Sequence, residues 1–390
     1  MQRYKKGGFC MKIIISPDSF KGSCLAIDVA NYIKEAIQEV DSSVEFVTMP
    51  VADGGEGTIE AITSCVDANI HEVEVSNPLG KPITAQYAIL KESDTAIIEM
   101  AQASGLPLLQ ADERNPLLTT TYGTGQLMKD ALDKGCKKMI IGIGGSATND
   151  GGAGALMALG ASMKNAKGEE IALGGAALAE IDSIDLEKFD KRLFDIDITV
   201  ACDVTNPLTG PTGASAVYGP QKGATPEMVD QLDQALSHFA NVSADKLGED
   251  YSNCPGAGAA GGIGFALMAY CKAKFAAGID IVLDVCGFEK ELEDADLVIT
   301  GEGRIDGQSV CGKVLYGIGM RAKEKDVPVF AFGGAVLPDS EKLLDCGIKA
   351  MFSTANGPMT LEYAMQNTEK LLKQSVKNVM RVFLTGKKEQ

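Results

Sequence analysis

From Met11 the chain reads MKIIIS, a short β-branched run closed by Pro17-Asp18, and the segment after it sets Leu25, Val29, Ile33, Ile37 and Val40 at helical intervals. A buried strand, a loop and an amphipathic helix follow from that spacing. Val44 to Val51 predicts a second strand, and Gly54, Gly55 and Gly57 lead into a helix beginning near Thr58. Strands and helices in alternation predict a parallel sheet.

Further on the rhythm changes. Val73 and Val75 alternate with polar residues, Asn77-Pro78-Leu79-Gly80 makes a turn, and Ile83, Ala85, Tyr87 and Ile89 alternate again. This predicts an antiparallel hairpin, with a domain boundary near residue 75. Strands are expected next at Ala96 to Met100, Lys138 to Ile143 and Asp197 to Cys202, and helices at Gln126 to Asp133, Gly152 to Leu159, Glu227 to Phe239 and Ile263 to Phe275. Short buried strands at Asp296 to Thr300, Val329 to Phe332 and Ala350 to Ser353 restore the first pattern. The simplest architecture is α/β throughout. Residues 11–75 and 288–385 form one parallel-sheet domain, and residues 76–287 form a second α/β domain, with the hairpin, inserted into it.

Composition agrees with two cores: 390 residues, 45% of them hydrophobic, exceed what one ordinary core accommodates. No apolar run approaches the roughly 20 residues of a membrane span, so the expectation is a soluble chain without a membrane partner. MQRYKKGGFC, ahead of Met11, has basic charge but no apolar core or small-residue cleavage site, and reads as a short extension rather than a secretory signal. Ten cysteines without a CxxC pair, and only His71 and His238 as histidines, suggest neither a zinc site nor a disulfide framework and fit a reducing cytoplasm. A net charge of -17 argues against nucleic acid as a partner. It does not argue against a small anion, because lysines and arginines sit inside the glycine-rich loops.

Those loops carry the candidate chemistry, since ligands in open α/β sheets lie beyond the carboxyl ends of strands. After the first strand come Asp18, Ser19 and Lys21, next to a helix N-terminus. After the second, Asp53-Gly54-Gly55-Glu56-Gly57 sets two carboxylates among glycines that permit close backbone approach. The stretch Gly144-Gly145-Ser146-Ala147-Thr148-Asn149-Asp150 could cradle phosphate, with Asp150 either a functional carboxylate or a helix cap. Asp203 and Asn206 follow a strand and suit Mg²⁺ or hydroxyl contacts, Lys222 adds a cation, and Glu302, Arg304 and Asp306 crowd a loop after the strand ending at Thr300. Positioned cations, N–H groups and carboxylates are the parts of a phosphoryl-transfer site. No Walker A sequence or protein-kinase signature accompanies them.

Taken together, PDSFKGS from residue 17, PVADGGEGT from 50, GGSATNDGGAG from 144, CDVTNPLTGPTGA from 202, GPQKGA from 219 and TGEGRIDGQS from 300 resemble the bacterial glycerate kinase family. The six strings are collinear with it from Met11 to about Lys377. The resemblance implies a flavodoxin-like domain of both chain ends, an inserted α/β domain and an active site in the cleft between them. It further implies D-glycerate and ATP as substrates, Mg²⁺, and 2-phosphoglycerate as product.

Within that frame the expected catalytic residues are Lys21, Asp53, Asp203 and Arg304, with Lys21 and Arg304 facing anionic oxygens and Asp203 or Asp53 activating the hydroxyl. Glu302 and Asp306 are expected near Mg²⁺. Substrate and phosphate contacts are expected from Asp18, Ser19, Gly54, Gly55, Glu56, Gly144, Gly145, Ser146, Asn149, Asp150, Asn206 and Lys222. Partners are the small substrates, and self-association into a homo-oligomer is left open. The rival reading is a nicotinamide-dependent oxidoreductase of a small hydroxy acid, carried by the loose fingerprints Gly142-x-Gly144-x-x-Ala147 and Gly256-x-Gly258-x-x-Gly261. A non-catalytic ligand-binding module is a third.

Overall fold

The computed structural model describes residues 11–55, 57–310 and 313–388. In chain order its strands are β1 (Lys12–Ile15), β2 (Glu45–Thr48), β3 (Ala68–Ser76), β4 (Pro82–Leu90), β5 (Thr95–Glu99), β6 (Lys138–Gly142), β7 (Ser162–Lys164), β8 (Ser183–Asp185), β9 (Asp197–Ala201), β10 (Lys274–Ala276), β11 (Leu297–Ile305), β12 (Val329–Val336) and β13 (Ile348–Ser353). The chain divides into two units, one of Met1–Asp53, Glu60–Val66 and Ile279–Gln390, the other of Gly54–Ile59 and Asp67–Gly278. The sequence expectation set the limits at 75 and 287. The second unit takes in the whole hairpin, because β3 already begins at Ala68.

The first unit is a five-stranded sheet in the order β13-β12-β11-β1-β2, parallel throughout. Counted within the unit this is 2-1-3-4-5, the flavodoxin-like doubly wound order. Ile13, Ile14 and Ile15 are completely buried, as a central strand covered on both faces requires. On one face Ile13 and Ile15 pack with Val29, Ile33 and Ile37 of the helix Ala26–Gln38 and with Leu372, Val376 and Met380 of the C-terminal helix Thr368–Lys388. The chain leaves β1 for β2 on one side, and β11 for β12 and β13 on the other. Connections therefore diverge between β1 and β11, which opens a crevice beyond their carboxyl ends.

The second unit holds a six-stranded sheet, β10-β9-β6-β5-β4-β3, with β3, β4 and β5 antiparallel and β5, β6, β9 and β10 parallel. Asn77 closes the predicted hairpin by accepting the N–H groups of Leu79 and Lys81 on Oδ1, both at 2.9 Å. Among the described residues no helix is long and apolar enough to cross a membrane.

Three local expectations change. TGEGRI is strand, not loop: β11 runs on to Ile305, with Glu302 opposite Gly333 and Arg304 opposite Ala335. Glycines lower strand propensity, but here an equally extended β12 supplies the ladder, and tertiary pairing overrides the local signal. The helix expected to Phe275 ends at Cys271, where Lys272 takes φ 54°, and Phe275 lies in β10. The small antiparallel pair β7 and β8 has too short a pattern to be read from periodicity.

Candidate functional site

In the first unit, three stretches continue beside one another past the strand ends. The Ser16 N–H donates to the Ile299 carbonyl and the Asp18 N–H to the Gly301 carbonyl, each at 2.8 Å, while the Val51 N–H donates to the Pro17 carbonyl at 3.0 Å. Gly303 lies against this loop, where a Cβ would come within 3.3 Å of the Lys21 nitrogen. Backbone pairing thus gathers Asp18, Lys21, Asp53 and Glu302 at the crevice, although they lie far apart in sequence.

Their electrostatics are those of acids held together. Asp18 is 8% exposed, and burial, reinforced by the charge of Asp53, pushes its carboxyl up to about 6. The Ser19 N–H donates to Asp18 Oδ1 at 2.6 Å and opposes this only in part. Glu302 is pushed up to about 7 by burial, with Asp18 and Asp306 adding to the shift, against a hydrogen bond from the Ser309 hydroxyl. Lys21 has a side chain 76% exposed, lies 3.5 Å from Asp53 and is held above the usual lysine range chiefly by Asp53. Arg304 points to solvent and pairs with Asp306 at 3.0 Å. Asp306 also accepts the Gln308 N–H at 2.9 Å, so both expected metal ligands, Glu302 and Asp306, already hold protein donors.

In the second unit the Gly54–Ile59 stretch lies on the carboxyl ends of β5, β6 and β9. A Cβ on Gly142 would stand 2.5 Å from the Gly54 carbonyl oxygen, and one on Gly144 would stand 2.7 Å from the Gly55 Cα. Gly54, at φ 84°, would drive a Cβ to 2.5 Å from Ala201. Glu56 lies outside the described residues.

The loop from Gly142 to Gly152 is layered. Gly144 and Gly145 reach solvent, whereas Ser146, Asn149 and Asp150 turn inward. Asp150 accepts the Thr121 N–H at 2.8 Å and hydroxyl at 2.9 Å on Oδ2, and the Gly152 N–H at 3.1 Å on Oδ1. Lys222, 1% exposed, donates to Ser146 Oγ at 2.8 Å and to the Thr148 carbonyl at 2.7 Å, and burial lowers it to about 7. Asn149 donates to Ser215 Oγ at 2.9 Å. These side chains hold the loop from behind, because a buried charge is tolerated only with partners. What faces outward is glycine backbone.

Asp203 accepts the Gly278 N–H at 3.0 Å, at the start of the helix Gly278–Cys286. Asn206 donates to the Thr212 carbonyl at 2.8 Å and accepts the Tyr218 hydroxyl at 2.7 Å. Sequence reasoning missed Ser309, Thr121 and Glu99. The run Thr119-Thr120-Thr121 is an available signal for the second, whereas the other two sit in sequence contexts without one. The dinucleotide fingerprints lose their context as well. The helix after Ala147 begins only at Ala153, and Gly256 to Gly261 follows no strand.

A doubly wound sheet with clustered acids and a lysine at its switch point, in a chain whose second α/β unit exposes glycine backbone past a strand end, fits the phosphotransferase class of enzymes. The chain belongs to the glycerate kinase family: that family's model matches residues 13–384. It is 48% identical over 369 residues to a glycerate kinase of Bacillus subtilis, covering 95% of this chain and 97% of the relative. With the glycerate 2-kinase of Escherichia coli it shares 45% over 376 residues, 96% and 99% of the two chains. A crystal structure from Salmonella typhimurium LT2, assigned as a glycerate kinase 2, superposes with a TM-score of 0.88 at 47% identity, covering 97% of this chain and 100% of that one. The chain is therefore a kinase with an α/β fold, as the sequence reading expected.

Proposed function

We propose that the chain transfers the γ-phosphoryl group of ATP to the 2-hydroxyl of D-glycerate, giving ADP and 2-phosphoglycerate, in the cytoplasm. The observation that carries this reading is the convergence of Asp18, Lys21, Asp53 and Glu302 at the switch point of the first unit. The names of the relatives in Bacillus subtilis and Escherichia coli support the substrate and the position phosphorylated.

In the transfer, the glycerate hydroxyl oxygen bonds to the γ-phosphorus, the bond to the bridging β-oxygen breaks, and ADP leaves with that electron pair. The hydroxyl proton passes to a carboxylate. Asp53, half-buried and ion-paired at 3.5 Å with the exposed ammonium of Lys21, is assigned that role ahead of Asp203, which accepts the first N–H of a helix. Lys21 and Arg304 face phosphate or carboxylate oxygens, and the Gly144-Gly145 backbone offers N–H groups to phosphate.

Mg²⁺ fits this donor set in one sense. Among the described residues no three acids or other ligating side chains form a complete metal shell, but Mg²⁺ commonly takes one or two carboxylates and completes its shell with phosphates and water. Asp18 and Glu302, both raised by burial and by neighbouring acids, would hold it, and the ion would neutralise charge on the phosphates.

The test is a coupled assay in which enolase consumes only 2-phosphoglycerate, run on wild type, Asp53→Asn and Asp203→Asn. Turnover should fall by about 100-fold or more in Asp53→Asn and far less in Asp203→Asn. Absence of ATP consumption with glycerate would sink the function, and a reversed order of the two variants would move the base to Asp203.

A further inference from the structure

Ser309 lies in the short 3-10 helix Gly307–Val310, directly after β11, and is 2% exposed. Its backbone N–H donates to the Asp306 carbonyl at 3.0 Å, and its Oγ accepts the Asp306 N–H at 3.2 Å. An N–H can only donate, so the one proton of this hydroxyl is left for Oε1 of Glu302, to which it is bonded. The turn itself is anchored on its far side. Gly307 stands where a Cβ would come within 2.8 Å of Asp339 Oδ2, and the Leu337 N–H donates to the Ile305 carbonyl at 2.9 Å. Ser309 is thus a fixed donor on a fixed turn.

The two acids that it connects are differently engaged. Both oxygens of Asp306 are occupied, Oδ1 by the Gln308 N–H and Oδ2 by the Arg304 guanidinium. Glu302 holds the Ser309 hydroxyl on Oε1, and among the described residues no protein group donates to its Oε2. The backbone of Glu302 is set by the β11 ladder, opposite Gly333. The last torsion of a glutamate, however, has only broad preferences, so strand geometry alone does not aim the carboxylate. The bond to Oε1 does: with one oxygen pinned, the direction of the other follows.

We infer that Ser309 is a positioning residue that aims the second oxygen of Glu302 at the Mg²⁺ of phosphoryl transfer. Ser309 touches neither the ion nor substrate; it acts through Glu302. The inference rests on the proposed reading of Glu302 as a ligand of that ion. It also divides the two acids of the stretch TGEGRID, leaving Glu302 for the metal and giving Asp306 to Arg304 and the turn.

Ser309→Ala deletes the donor and leaves the backbone bond from residue 309 to Asp306 in place. The probe is the non-hydrolysable β,γ-imido analogue of ATP, titrated calorimetrically into the full chain once with Mg²⁺ and once with EDTA. The readout is the factor by which Mg²⁺ tightens binding. That factor should fall about 10-fold or more in Ser309→Ala, the usual cost of losing a partner behind a metal ligand, while affinity in EDTA stays within about twofold of wild type. Glu302→Gln should lose at least as much. A folded Ser309→Ala with the wild-type factor overturns the inference when Glu302→Gln has lost it. So does an equal loss of affinity in EDTA, which would make Ser309 a general support of the fold. If Ser309→Ala fails to fold, Ser309→Cys keeps the shape with a weaker donor: a factor lowered about threefold or more supports the inference, and an unchanged one overturns it. A wild-type factor in Glu302→Gln, by contrast, refutes the reading of Glu302 as a ligand whatever Ser309 does.

Discussion

Replacing Asp18 by Asn should make the protein more stable and less active, with a stability gain that depends on pH. In the folded chain the carboxyl is raised from 3.8 to about 6, chiefly by burial and then by Asp53. A raised acid binds its proton more tightly folded than unfolded, so stability is fullest below about pH 4 and falls as pH rises through about 6. A shift of about two units corresponds to a ceiling of about 3 kcal/mol at pH 8. Asn is never charged and keeps an oxygen for the Ser19 N–H, which donates to Asp18 at 2.6 Å in the wild type. In metal-free buffer, calorimetry at pH 8 should therefore show Asp18→Asn melting higher, by up to about 10 °C if its unit unfolds as an independent domain. At pH 4 the advantage should vanish. Mg²⁺ should raise the melting temperature of the wild type more than that of the variant, and turnover should fall by about 100-fold or more, the stability and activity of a strained site moving in opposite directions. An equal gain at both pH values, or none at pH 8, would refute the argument that Asp18 is held charged against its surroundings.

Two other perturbations probe the loop that the buried side chains support. Lys222, lowered by burial to about 7 against an ordinary 10.5, binds its proton less tightly folded than unfolded, so it contributes stability that rises between about pH 7 and 10.5. Lys222→Met should flatten that slope in melts taken from pH 7 to 9; an unaltered slope would show that the lysine is not desolvated. Gly144→Ala places a Cβ 2.7 Å from the Gly55 Cα and should cost about 1–3 kcal/mol in denaturant unfolding while lowering kcat. A variant of wild-type stability would mean that the two glycine turns do not pack as described.

The sequence by itself determined the class of fold, the hairpin and the family. The period-two and helical spacings of Ile13 to Val40 and Val73 to Ile89 depend only on neighbours along the chain, and the six motif strings are local as well. It also located the loops that carry Asp18, Lys21 and Asp53. The tertiary structure alone decided what each charge faces. Lys222 reads as a cation for phosphate and Asp150 as either a functional carboxylate or a helix cap, and both are buried behind their loop; Glu302 reads as a loop residue, yet β12 makes it part of a strand. Glu99 carries no local signal, because its partner lies in a helix that β5 reaches only through folding. Burial and pairing of a charge are set by residues distant in sequence, and a carboxylate looks the same in the chain whether it will meet substrate, a helix end or another acid.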